Sequence, residues 1–346
     1  FVSADAPMTH IFADGVHPTT AAHAMLGQLV LSEINAPGQI SLLGEAPLGA
    51  AFAQSRVARR QMLDDSLGAP TRSFVNIDYA QQHYKADANA PKTRSSNLDF
   101  SIGADAAVSD HVSAGIGFGV GRHHGSFAGG IGDYNLQDIS AQGYLTYHRG
   151  GGYIGGFIGF GQSNYDEINR HVRIGTLNRR EAGKADGNRL GGGFTGGWWF
   201  ETGKLRTGPF TTVEWQTVKV NGYNEAGNDS TAMWFGRQQR DALVMTAGWR
   251  LQGDIDVGNT VLSPWAELAW NHDDKADPRL IRAGLNSMSG TFALPGFEPD
   301  ANWANLSIGV SARLTSSINS WFGYNGRIAD RSQKFNGLTM GFKVKF

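Results

Sequence analysis

Ala304-Asn305-Leu306-Ser307-Ile308-Gly309-Val310-Ser311-Ala312-Arg313-Leu314 puts an apolar side chain at every even position and a polar side chain or glycine at every odd one. A period of two marks a β-strand with one apolar and one polar face. The same pattern recurs along the chain. Leu98, Phe100, Ile102, Ala104 and Ala106 alternate with Asp99, Ser101, Gly103 and Asp105. Val112, Ala114, Ile116, Phe118 and Val120 alternate with Ser113 and a run of glycines. At the C-terminus Leu338, Met340, Phe342, Val344 and Phe346 oppose Thr339, Gly341, Lys343 and Lys345.

Twelve segments read as strands: about 73–84, 95–108, 111–125, 133–148, 152–172, 187–202, 206–223, 232–252, 260–272, 302–314, 319–330 and 335–346. Connections after the even strands are tight: Ser109-Asp110, Arg149-Gly150-Gly151, Thr202-Gly203-Lys204, Gly253 to Asn259 and Thr315 to Ile318. Those after odd strands are longer and more polar, notably 85–94, 173–186, 224–231 and 273–301. Short turns at one end and long loops at the other predict a twelve-stranded antiparallel transmembrane β-barrel over residues 71–346. Tyr84, Tyr147, Tyr153, Trp198, Trp199, Trp249, Trp270, Trp321 and Tyr324 fall near strand ends, where interfacial girdles belong. A soluble barrel or sandwich also alternates, but it turns its polar face outward and stays near eight strands.

Composition agrees with this reading. The 346 residues include 47 Gly and 37 aromatics, with only 18% charged, and the net charge is −1. Glycine at twice its usual share suits strands that bend and approach closely. Charge balance removes the electrostatic footprint of a nucleic-acid binder. The absence of Cys excludes a disulfide framework, thiol catalysis and Cys-ligated zinc. No stretch approaches the ~20 apolar residues of a membrane helix. The chain opens at Phe1 without an initiator Met or a signal peptide, as a processed or cut product would.

Two helical segments precede the strands. Pro18 and Thr19 open the first, in which Ala21, Ala22, Met25, Leu26, Leu29, Val30 and Ile34 recur at helical spacing, and Asn35-Ala36-Pro37-Gly38 should end it. Residues 1–36 are too few to enclose a core and read as the tail of a soluble α/β domain. The second helix, about 46–67, clusters Gly49, Ala50, Ala51 and Ala53 before Arg56, Arg59 and Arg60. Its ~30 Å length matches a bilayer core. It is either an amphipathic linker or a plug whose arginines face a polar wall. As a plug, some of these arginines would pair with Asp78, Asp99, Asp105, Glu214 or Glu267 on the lumen face.

The compact chemical motif is Asp14-Gly15-Val16-His17-Pro18-Thr19. An Asp three residues before a His can orient the imidazole and stabilise its protonated form, leaving the other ring nitrogen to activate a serine. In isolation such pairs arise often by chance, and the plain alternative is an N-terminal cap by Asp14. The block closely resembles the last motif of GDSL (SGNH) hydrolases. Followed by a helix and a Phe-terminated barrel, it makes the whole chain resemble the C-terminal part of an autotransporter esterase. That resemblance implies three parts: a passenger tail at 1–36, a linker and pore-spanning helix at 37–70, and a translocator barrel at 71–346. It further implies a carboxylic ester hydrolase displayed on the outside of the bacterial outer membrane, with Asp14 as triad acid and His17 as general base, and no cofactor. Its implied partners are outer-membrane lipid, periplasmic chaperones, the barrel-insertion machinery that reads terminal Phe346, and an ester substrate. The unit implied is a monomer.

The Gly-Asp-Ser-Leu block with its nucleophile is missing, as are the Gly and Asn oxyanion donors. Asp65-Ser66 and Asp229-Ser230 fall in the second helix and in a barrel loop, without a strand-to-helix context. The chain alone is therefore expected to hydrolyse no ester. Other constellations are weaker. His10, Asp14, His17 and His23 lack facing positions for a metal. His123-His124 read as solvated loop residues, and the glycine run 115–121 reads as strand because no helix follows it. A barrel that is itself the functional module, as a channel or an adhesin anchor, is the alternative.

Overall fold

The computed structural model describes residues 4–66, 71–258 and 260–346. Twelve antiparallel strands follow one another around a closed barrel: β1 (Arg72–Tyr84), β2 (Thr93–Ser109), β3 (Val112–Phe127), β4 (Gly132–Arg149), β5 (Gly152–Ile174), β6 (Leu177–Trp198), β7 (Leu205–Val220), β8 (Gln238–Gly253), β9 (Thr260–Asp273), β10 (Asn302–Arg313), β11 (Ile318–Ile328) and β12 (Gln333–Lys345). β12 pairs back onto β1 from Arg72↔Lys345 to Tyr84↔Gln333, so the ladder has no free edge. Alternation sorts the side chains as the period-two reading requires. Ile116, Phe118 and Val120 on β3 are more than half exposed, while Asn76, Gln142, Thr146 and Thr212 are buried inside. In hydrocarbon this outward apolar face is the stable one.

Several expectations need correction. Residues 173–186 are a continuation of β5 and β6, paired up to Ile174↔Leu177 at the tip, and are not a loop. Apolar alternation stops there because the outward face meets water and the inward face packs on α2 and loop residues largely through polar groups: Arg170 and Glu181 are buried, and the Gly175 N–H donates to Gln28 on α2 at 2.6 Å. The segment read as one strand over 232–252 breaks at Gly236-Arg237. Met233–Phe235 joins Tyr223–Asn224, Leu280–Leu285 and Phe292–Pro295 in a separate four-stranded sheet at the long-loop end. Tyr84, Tyr153, Trp199 and Trp321 point inward and are buried, whereas Tyr147, Trp198, Trp249 and Trp270 face out. Position near a strand end does not set the face; parity does. His123 likewise sits inside β3, buried, with Nε2 3.2 Å from Asp99.

The helices also differ from the sequence reading. After a short turn of helix, α1 (Ala6–Thr9), α2 runs Thr20–Ser41, a tight turn at Leu42–Gly44 follows, and α3 spans Glu45–Asp65. Pro37 lies inside α2, so the predicted stop at 35–38 does not occur. An interior proline costs about 3 kcal/mol. Burial offsets it, since Ala36, Ile40, Leu42 and Leu43 are fully enclosed at the barrel mouth. Gly38 is no cap either: a Cβ there would collide with the carbonyl of Asn89 in the β1–β2 loop. Around this segment Tyr84, Tyr134, Tyr165, Phe235, Phe297 and Trp303 close the outer half of the lumen.

α3 fills one side of the lower lumen, where its small residues Ala46, Ala50, Ala51 and Ala58 permit close approach to the wall. Buried charges hold it at both ends. Glu45 takes Arg240 at 3.2 Å and Arg279 at 2.9 Å. At the short-turn end Arg72 bridges Asp65 at 2.5 Å and Asp105 at 2.9 Å. Removing one partner of a buried pair strands the other charge, at a cost of about 3–5 kcal/mol. Arg72→Met should therefore lower the temperature at which the folded band converts to the unfolded one on a heat-modifiability gel. Lys204→Met, which removes one side of the Lys204–Asp256 pair exposed on both partners at a short turn, should leave it unchanged within a degree or two.

Candidate functional site

The Asp14–His17 motif sits in a self-bonded turn just ahead of α2. Phe12 and Pro18 form a β-bridge, the Ala13 N–H donates to the His17 carbonyl at 2.8 Å, and the Thr19 N–H donates to that of Ile11 at 2.9 Å. Thr19 caps α2, its hydroxyl accepting from the Ala22 N–H at 3.3 Å and donating to the His10 carbonyl at 2.5 Å. Within the turn, Asp14 Oδ1 accepts from the N–H groups of Val16 (2.8 Å) and His17 (2.7 Å). Its other oxygen, Oδ2, lies 2.7 Å from His17 Nδ1. These bonds, led by the His17 backbone N–H and then the His17 ring, pull the Asp14 carboxyl down to about 2. The carboxylate thus stays charged and fixes one ring nitrogen as donor, while Nε2 of His17 faces solvent.

What is not there matters equally. Among the described residues no serine hydroxyl bonds His17. Ser66 donates to the Leu63 carbonyl at the far end of α3, and Ser230 accepts from Arg179, both remote from the turn. His10 Nδ1 turns to Thr9 and His23 Nδ1 to the Thr19 carbonyl, so the four residues considered for a metal do not converge. Around the motif Met8, Ile11, Phe12 and Val16 are more than half exposed, as are Leu26 and Leu31 on the first turns of α2.

The arginines of α3 diverge in role. Arg59 donates to Glu214 at 2.6 Å, and Ser55 shares the same carboxylate at 2.5 Å. Among the described residues Arg56 and Arg60 make no ion pair, and Arg60 Nη2 donates to the Ser311 hydroxyl at 3.4 Å. Arg56 lies over Phe335, and Arg60 lies between Trp265 and Trp321, 5.1 and 4.9 Å from their ring centres. Aromatic faces take up positive charge without supplying a counter-ion. Asp105 goes to Arg72, and Asp99 to His123. Arg189, Arg240 and Arg250, which the sequence reading passed over, contact or flank α3, and Glu45 opens it; for the three strand arginines the signal was charge at inward parity. Arg189 pairs with Asp138 at 2.6 Å and donates to Gln54 at 2.8 Å. Phe346 follows β12 with its N–H donating to the Thr71 carbonyl at 3.1 Å and its ring largely exposed.

Relatives agree with the architecture. The chain is 28% identical to "Lipase 1" of Photorhabdus luminescens over 347 residues, 99% of this chain and 51% of that protein. It is 24% identical to "Esterase EstA" of Pseudomonas aeruginosa, over 93% of this chain and 50% of that one. It thus spans about half the length of these relatives. Among solved structures, the translocator domain of the autotransporter NalP from Neisseria meningitidis superposes with a TM-score of 0.68 at 15% identity, over 88% of this chain and 99% of that one. The beta domain of the Bordetella autotransporter BrkA gives 0.56, also at 15% identity, over 80% and 100%. The Autotransporter beta-domain family matches residues 73–325, most of the closed barrel. The chain belongs to that family, whose barrels reside in the bacterial outer membrane with the passenger displayed outside.

Proposed function

We propose that this chain anchors and translocates a surface-displayed carboxylic ester hydrolase of the GDSL class, and that it contributes Asp14 and His17 to the passenger's catalytic triad. The observation that carries the reading is the Asp14–His17 bond with the opposite ring nitrogen free. Two relatives named as a lipase and an esterase support it. Residues 1–36 are the passenger tail, 37–70 the linker and pore helix, and 71–346 the translocator. Burial along α2 supports that division: Ile34 is half exposed, while Ala36 is fully enclosed.

In this reading a serine in the passenger attacks the ester carbonyl while His17 Nε2 accepts its proton. His17 then donates that proton to the departing alcohol, and water releases the acyl group by the same relay. Asp14 holds the tautomer and stabilises the imidazolium. In the full-length protein, His17→Ala should cut p-nitrophenyl butyrate turnover by about 10⁴-fold or more, and Asp14→Asn by about 10²–10⁴. Heat-modifiable mobility should be unchanged in both. Full activity in His17→Ala would end the proposal and leave an anchor whose dyad is accidental. The 346-residue chain by itself should hydrolyse nothing above buffer background.

Asp14 gives a pH signature. Its carboxyl is lowered in the folded turn, so its contribution is complete above the ordinary Asp value of about 3.9 and is lost as pH falls through about 2. A carboxyl ¹³C titration should place its midpoint near 2. His17→Ala should raise that midpoint without restoring 3.9, because two backbone N–H groups still donate. Phe346, an exposed terminal aromatic next to the β1–β12 seam, is assigned as the insertion signal. Its deletion should lower the fraction of heat-modifiable barrel in outer membranes several-fold, while the esterase activity of a soluble passenger fragment stays intact.

A further inference from the structure

α3 does not fill the lumen. It lies against β2–β7 and leaves a cavity of about 420 Å³ on the opposite side, against β8–β12. The side chains lining that cavity are unbalanced: nine are basic and four acidic. Some of the nine are neutralised, as when Arg59 meets Glu214, Arg72 meets Asp65 and Asp105, and Lys343 meets Asp64. Arg56, Arg60, Arg250, Arg313 and Lys345 have no ion-pair partner among the described residues. Of the lining acids, Asp78 accepts from Asn76, and Glu267 makes no ion pair among the described residues.

Two of these cations are held in place by rings and not by carboxylates. Arg250 is 6% exposed, with its guanidinium over Tyr153, Trp199 and Phe210, and its Nε has no hydrogen-bond partner. Arg60 stands between two tryptophans, and its Nε is likewise unpartnered. Stacking fixes a guanidinium plane while leaving most of its N–H groups available, Arg60 spending only Nη2 on the Ser311 hydroxyl at 3.4 Å, an arrangement suited to a bidentate oxyanion. The cavity is also directional. Arg313 and Lys345 stand beside the short turns, and Arg313 is exposed, so that end is open. Above it Arg327 stacks 3.6 Å over Trp303, and Tyr84, Phe297 and the α2–α3 turn close the outer half. Because α2 leaves through the long-loop end toward the outside, the open end faces the periplasm.

We propose that this blind vestibule is a periplasm-facing binding site for a small, multiply charged phosphate anion. Several unpaired cations around one chamber with low-dielectric walls focus their field on its interior. They match a polyanion better than a single carboxylate. The site stands independently of the esterase reading.

The test is isothermal titration of the detergent-folded 346-residue chain with sodium pyrophosphate at low ionic strength. Saturable one-to-one binding is expected, weakened at least about tenfold in Arg60→Gln/Arg250→Gln, since charge-assisted hydrogen bonds are lost. It should be unchanged in Lys184→Gln, an exposed lysine on the barrel's outer wall. Folding of each variant is checked by heat-modifiable mobility. If the buried pair of substitutions fails to fold, Arg313→Gln/Lys345→Gln at the open end should weaken binding about threefold. No saturable heat, equal affinity in the arginine variants, or an equal loss in Lys184→Gln would overturn the proposal.

Discussion

In hydrocarbon a backbone N–H or C=O has no water to turn to, and each one left unpaired costs several kcal/mol. A sheet that crosses a membrane must therefore close on itself. Here the closure is the seam between β12 and β1, thirteen residue pairs long from Arg72↔Lys345 to Tyr84↔Gln333. Once the seam exists, the period of two does the rest. Every strand must send one set of side chains to lipid and the other inward, and the inward set can be polar only if something satisfies it. The buried Arg72, Asp105, Asp138, Arg189, Glu214 and Arg240 are consequences of that geometry.

α3 answers this demand. Its alanines bring it close to the wall, and its polar residues meet wall charges: Ser55 and Arg59 at Glu214, Gln54 at Arg189, Glu45 at Arg240 and Arg279. A helix with a clean apolar stripe would have no partner surface here. The weak segregation of polar and apolar residues along it is what a polar lumen requires.

The barrel was legible in the sequence because lipid enforces alternation at Leu98–Ala106, Val112–Val120 and Leu338–Phe346. Legibility failed where that enforcement stops. Above the membrane, β5 and β6 continue past residue 172 on backbone pairing and polar side-chain contacts, such as Arg180 to Asn169 and Gln28 to the Gly175 N–H, and the small sheet that includes Leu280–Leu285 rests on loop residues with no long period. Pro37-Gly38 read as a helix stop because local propensity was the visible signal, whereas burial among the mouth aromatics decides the matter. In the candidate site, Asp14 and His17 were readable as adjacent partners. The individual fates of Arg56, Arg59 and Arg60 were not, because each depends on which strand faces it.

The ion pairs at the two ends of α3 bear on what holds the helix in place. Buried pairs return little net stability once desolvation is counted, yet each tolerates only one geometry. Glu45 can meet Arg240 and Arg279 only if α3 begins at the mouth. Asp65 can meet Arg72 only if it ends at the short turns, twenty residues below. At 1.5 Å per residue that interval is about 30 Å, the thickness of the hydrocarbon core. Sliding the helix by one turn would break both clusters together and leave several charges unpaired in the lumen. The small residues allow α3 to fit, and the charges fix its register. The dyad at Asp14 and His17 is thereby held a set distance beyond the outer surface of the membrane by one nearly continuous helical rod.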